Sequence, residues 1–184
     1  MRFLFIIILA AQLSACTSFG GNQAHSLSSD NIDYLINAHH DAVASLLASI
    51  DPVKPLDRTK PIIVASLVDI DELVSSTFGR ISSEQIATKL TKSGFEVIEL
   101  KLRGAIFVKS SEGELLLSRE IKEITLNHKA QAVLVGTYAE VKNNLYITLK
   151  LVGTKDNIVL GAHDYVLPIN YSIRSILWNS KKKV

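Results

Sequence analysis

The stretch Ile62 to Val68, IIVASLV, constrains the fold more than any other segment of this chain. It is short, almost continuously apolar and bounded by Pro61 and Asp69, the pattern of a strand buried on both faces. Beyond it, Phe78-Gly79-Arg80 leads into helical spacing through Ile86, Ala87 and Leu90, and Gly94 supplies a stop. Phe95 to Leu102, FEVIELKL, then alternates apolar and charged residues and reads as a second strand. A strand, a helix and a strand within about forty residues imply a right-handed parallel crossover. The fold class is therefore α/β.

The flanking segments extend this unit. Upstream, Ile32, Leu35, Ile36, Ala42, Val43, Leu46, Leu47 and Ile50 recur at spacings of three and four, which predicts a helix. Ser29 or Asp30 is placed to cap its start, and Pro52 lies past its end. DPVKPLDRTKP, with three prolines, reads as an extended linker. Downstream, Ile106-Phe107-Val108 and Leu115-Leu116-Leu117 flank Ser110-Ser111-Glu112-Gly113 as a hairpin would. Ser118 is placed to cap a third helix, Arg119 to Lys129, with Ile121, Ile124 and Thr125 inward. Three long strands follow: Ala132 to Val141, Leu145 to Val152 and Ile158 to Leu167. Turns at Asn143-Asn144 and Lys155-Asp156-Asn157 separate them, since Asn and Asp tolerate left-handed backbone. Leu145, Ile147, Leu149 and Leu151 share one face, so the meander buries one side. The expectation is one domain, a mixed sheet with a βαβ unit and a C-terminal antiparallel meander, covered by about three helices. The end of the chain, Asn170 to Trp178, carries Ile173, Ile176, Leu177 and Trp178 at helical spacing. It either packs back on the sheet or presents an apolar patch to a partner.

The N-terminus sets the address. Arg2 supplies a positive start, and the apolar run Phe3 to Ala11 rises only about 13 Å as a helix, against about 30 Å of hydrocarbon. It has the build of an export signal rather than a membrane span. The only cysteine, Cys16, follows directly in Leu13-Ser14-Ala15-Cys16, a pattern resembling the lipobox of bacterial lipoproteins. In such proteins the cysteine thiol takes a diacylglycerol, the preceding bond is cut, and the freed amine gains a third acyl chain such as palmitate. One chain of that kind binds membranes marginally, whereas two or more anchor stably. Thr17, rather than Asp, resembles the pattern of transfer to the outer membrane. Residues 1–15 are thus read as signal peptide, 16–29 (TSFGGNQAHSLSS after the cysteine) as a flexible tether, 30–169 as the domain and 170–184 as a tail. With no other cysteine, stability must come from the apolar core. A formal net charge of +2 excludes the basic excess of a nucleic-acid binder, and Lys181-Lys182-Lys183 reads as a solvated end.

Motifs for chemistry are missing. The sequence contains no GxSxG elbow, no GxxxxGK[ST] loop and no HExxH helix. A single cysteine excludes thiolate metal sites. His39-His40-Asp41 reads as a polar helix face, because adjacent helical residues point about 100° apart. His163 and Asp164 sit on opposite sides of a strand and form no dyad. Asp69, Asp71 and Glu72, just past a strand end, are the best candidates for a cation or ligand site. The competing reading is acids at a helix N-terminus, where the dipole favours them. The expectation is no catalytic residue, no cofactor and no metal, with Cys16 as the one modified site.

LDRTKPIIVASLVDIDELVSSTFGRISSEQIATKLTKSGFEVIELKLR, FVKSSEGELLLSREIKEI and AQAVLVGTYAEVKNNLYITLKLV, in that order, resemble the FlgO family of outer-membrane flagellar lipoproteins. The most telling pieces are LDRTKPI, STFGR, GELLLSREI and AVLVGTY. A broader likeness is to periplasmic domains of the TolB N-terminal and CsgG type, which assemble into rings or dock on envelope machinery. The resemblance implies a protein anchored at the outer membrane, facing the periplasm, near the flagellar basal body or its rings, and supporting motility. It implies no enzyme activity and hands over no catalytic residue. The alternative reading is a periplasmic lipoprotein that scaffolds or activates another envelope machine, for example in peptidoglycan synthesis.

Overall fold

The computed structural model describes residues 26–100, 107–109, 115–117 and 119–181. The order is α1 (Ser26–Ala48), β1 (Ile62–Ala65), β2 (Val68–Asp69), α2 (Thr77–Lys92), β3 (Val97–Leu100), β4 (Phe107–Lys109), β5 (Leu115–Leu117), α3 (Arg119–Asn127), β6 (Ala132–Val141), β7 (Asn144–Gly153), β8 (Val159–Pro168) and α4 (Tyr171–Lys181). The domain is α/β, with a six-stranded mixed sheet ordered β3-β1-β6-β7-β8 and β2 paired to β6. Among the described residues there are four helices rather than about three, because the C-terminal segment folds as α4.

The parallel half follows the buried run. β1 pairs parallel with both β3 and β6, so all four of its residues are buried. The expected single strand Ile62 to Val68 is split in two. At the break, Leu67 N–H leaves the ladder to donate to the Gly79 carbonyl at 3.3 Å, and its side chain buries over Gly136. Had Gly136 a Cβ, it would lie 2.6 Å from Leu67 Cγ, so the glycine makes room for the detour. The pieces rejoin the same neighbour, β2 pairing parallel with β6 through Val68↔Thr137.

Helix α2 ends as its residues dictate. Ser76 Oγ accepts the Gly79 N–H at 2.9 Å at its start. At its end Gly94 adopts φ 86°, and Phe95 N–H donates back to Leu90 O at 3.2 Å. The same wrap closes α3, where Lys129 takes φ 51° and Ala130 N–H donates to Thr125 O at 3.0 Å.

The meander is antiparallel along its whole length, β6 to β7 and β7 to β8. Leu145, Ile147, Leu149 and Leu151 are all buried on one face, while Tyr146 and Lys150 on the other are exposed. The β6–β7 turn falls one residue earlier than expected, on Lys142-Asn143, with Lys142 taking the left-handed conformation at φ 56° and Asn144 pairing with Val141. The β4–β5 pair is antiparallel as expected; its turn lies outside the described residues, as do Leu102, Ile106 and Ser118.

Two apolar layers flank the sheet. The larger joins Leu35, Val43 and Leu46 of α1, Phe78, Ile86 and Leu90 of α2, and Ile173 and Leu177 of α4 to the inward strand residues. The smaller sets Ile121 of α3 against Ile63, Ala65, Val133, Val135 and Val152. Each such leucine or isoleucine, removed from water, contributes about 2 kcal/mol. Helix α1 starts at Ser26, so Ser29 and Asp30 lie inside it rather than at its cap. The proline-rich segment is not slack: Asp57 and Lys60 are clamped by Gln131, whose Oε1 accepts Asp57 N–H at 2.8 Å and whose Nε2 donates to Lys60 O at 2.7 Å.

Candidate functional site

The carboxylates singled out in the sequence border a cleft of about 690 Å³ where β2 and β6 end. Asp69, Asp71, Glu72 and Glu140 line it with Lys142, Val74, Ser75, Ser76, Tyr138 and Leu177. The acids do not stand at a helix N-terminus; α2 begins at Thr77 and carries no acid in its first turn. They belong to a turn organised by Asp69, whose Oδ1 accepts the Asp71 N–H at 2.9 Å and the Glu72 N–H at 3.4 Å. Leu73 closes the turn in left-handed backbone at φ 55°, its N–H donating to Asp69 O at 2.8 Å. Asp69 is thus occupied with backbone, and Asp71 and Glu72 are turned to solvent. Among the described residues no three His, Cys, Asp or Glu side chains are grouped to hold a metal ion.

The wall of the cleft is built by one buried phenol. Tyr138 OH donates to Ser76 Oγ at 2.7 Å, and the same oxygen accepts the cap bond from Gly79. The Tyr138 ring packs edge-on against Phe78, centroids 5.0 Å apart. Burial raises the Tyr138 pKa, the Ser76 bond opposes that, and the carboxylates of Asp69, Glu72 and Glu140 add to the rise. The phenol therefore stays protonated and the α2 cap stays tied to β6.

The histidines divide. His39 is not on a polar face; it is fully buried in the seam between α1, α2 and β8. Its Nδ1 lies 2.6 Å from Gln85 Oε1, and its ring contacts Phe78 and, edge-on at 5.8 Å, Tyr165. His40 is partly exposed and Asp41 exposed, so the three do not converge. The pKa of His40 is lowered by partial burial first, then by Lys92 and Lys89. His163 stacks on Tyr165 at 6.2 Å, on the same side of β8, while Asp164 faces away and is exposed. Gln85, Ser82 and Tyr165 complete the seam, and nothing in the sequence singled them out, because a polar residue at a core position looks like any surface residue until its partner helix is placed.

Cys16, Lys182 and Lys183 lie outside the described residues. The C-terminal segment packs back: Ile173 and Leu177 are buried, whereas Tyr171 and Trp178 are exposed. Among the described residues no helix is long and apolar enough to cross a membrane.

The family model described as FlgO protein matches residues 40–172, well over half of the chain. The architecture is similar to the LpoB C-terminal domain from Salmonella enterica, with TM-score 0.50 and 15% identity over 73% of this chain and 98% of that one. It is likewise similar to the LpoB C-terminal domain from Escherichia coli, with TM-score 0.51 and 12% identity over 72% of this chain and 97% of that one. No curated protein sequence matches it.

Proposed function

The chain belongs to the FlgO family, and from that premise we propose that it is a non-enzymatic lipoprotein of the outer membrane. In this reading it is anchored through Cys16, faces the periplasm, and takes part in assembling or stabilising the flagellar basal body or its rings. The observation that carries the proposal is the family match over residues 40–172 joined to the Leu13-Ser14-Ala15-Cys16 signature upstream. Chain length supports it further. The residues between Cys16 and the start of α1 at Ser26 bound the reach of the domain to about 35 Å from its anchor. A domain held that near the membrane meets its partners at high local concentration, so weak contacts suffice for assembly.

A clean deletion, complemented with the wild-type chain or with Cys16→Ser, tests the reading. Deletion should reduce swimming and leave basal bodies fewer or unstable, and Cys16→Ser should fail to restore them although the protein is made. Normal motility and intact basal bodies in the deletion would overturn the flagellar role. Altered cell shape or wall defects instead would favour the scaffold of another envelope machine.

A further inference from the structure

Among the described residues, four buried side-chain polar atoms lack a hydrogen-bond partner: His39 Nε2, Ser75 Oγ, Ser82 Oγ and Tyr165 OH. Buried orphans of this kind are rare, and each costs about 1–3 kcal/mol. Three of the four fall in one place. Tyr165 touches the His39 ring from β8, and Ser82 lies on the α2 stripe between Phe78 and Gln85, both of which touch His39. The seat of α1 is therefore apolar at Leu35, Val43 and Leu46 but carries an unsatisfied polar seam in the middle.

We propose that α1 is a pH-sensitive strap, seated on the sheet while His39 is neutral and released from it when His39 gains a second proton. The geometry dictates the sign. With Nδ1 given to Gln85, a proton on Nε2 would point into the seam where no acceptor is bonded to it, and a charge there would lie in full burial. Among the described residues no carboxylate compensates: of the neighbours, His40 on α1 opposes the charge, Lys89 and Lys92 of α2 act on His40, and β8 offers Tyr165 and the stacked His163. Asp41 and Asp164 are exposed. Burial, offset in part by the Gln85 bond, lowers the His39 pKa from 6.5 to about 4. A released helix restores the ordinary value, so the open form binds more protons. The seat is at full strength above about pH 6.5 and weakens as pH falls toward about 4. The remaining contacts resist release unevenly, because α1 is the first described element and rests on β8, an edge strand in the described sheet. Release would uncover the apolar face beneath it.

Hydrogen exchange read by mass spectrometry on the full chain tests the strap, with rates corrected for the intrinsic pH dependence of exchange. From pH 7 to 4.5 the protection of the Leu35–Leu46 segment should fall on the order of fifty-fold while that of Leu145–Leu151 in β7 holds. His39→Gln, neutral at every pH, should abolish the difference, and His39→Leu serves if that variant does not fold. The strap is overturned by α1 protection that does not change with pH. It is equally overturned if the fall persists in either variant, or if α1 and β7 lose protection together.

Discussion

Two buried polar junctions hold α2 in this domain, and they are built in opposite ways. At its first turn, Ser76 Oγ receives both the Gly79 N–H and the Tyr138 hydroxyl, so a cap and a cross-sheet bond share one satisfied atom. About two and a half turns on, Gln85 meets His39 beside two hydroxyls, Ser82 and Tyr165, that have no hydrogen-bond partner among the described residues. Both junctions sit under the same apolar layer, so burial alone does not separate them. Satisfaction does. A buried network with every partner present fixes one arrangement, whereas one with orphans stores a cost that any rearrangement reaching water recovers. The first junction should behave as a rivet and the second as a seam.

The sharpest way to break the rivet is Gly79→Ala. An added Cβ would fall on the Leu67 carbonyl oxygen, a backbone atom that cannot swing aside, and Leu67 itself is tied to the Gly79 carbonyl. The expected loss is about 4 kcal/mol or more, seen in urea unfolding as a shifted midpoint or as insoluble protein. Ser76→Ala comes next. It removes the cap and strands the Tyr138 hydroxyl, costing about 2 kcal/mol. Adding Tyr138→Phe to that variant should recover about 1 kcal/mol, a coupling that equilibrium unfolding of the four proteins would measure. The smallest effect has the other sign. Tyr165→Phe deletes an orphan hydroxyl and should stabilise the domain by about 1 kcal/mol, visible as a raised thermal midpoint. Were Tyr165→Phe to destabilise as much as Ser76→Ala, the contrast between rivet and seam would fail.

These junctions also show what the sequence made legible. Strands that carry one face inward announce themselves: the alternation Leu145, Ile147, Leu149, Leu151 predicts β7 within a residue at each end. The start of α2 and its glycine stop were equally readable, because Gly94 is a residue chosen for its backbone. The split after Ala65 was not. Nothing in IIVASLV indicates that Leu67 will leave the ladder to bind Gly79, since both apolar continuity and β propensity continue through it. The polar-face reading of His39 fails for a related reason: helical spacing puts it on the same stripe as Leu35, Val43 and Leu46, yet a histidine reads as surface unless a partner such as Gln85 is known. For the C-terminal segment the sequence leaves packing and presentation open; the structure shows it packed through Ile173 and Leu177, with Trp178 exposed. The acidic cluster lies at a strand end as the sequence predicts, but a turn rather than a helix accounts for Asp69, whose carboxylate is committed to backbone.

The proposed role depends on where this domain is held. Mass spectrometry of the N-terminal peptide of the native protein, extracted from cell envelopes in detergent, addresses that directly. The expected result is a chain that begins at Cys16 and carries acyl chains on its sulfur and amine. A chain recovered in the aqueous fraction, with an unmodified Cys16 thiol, would contradict it.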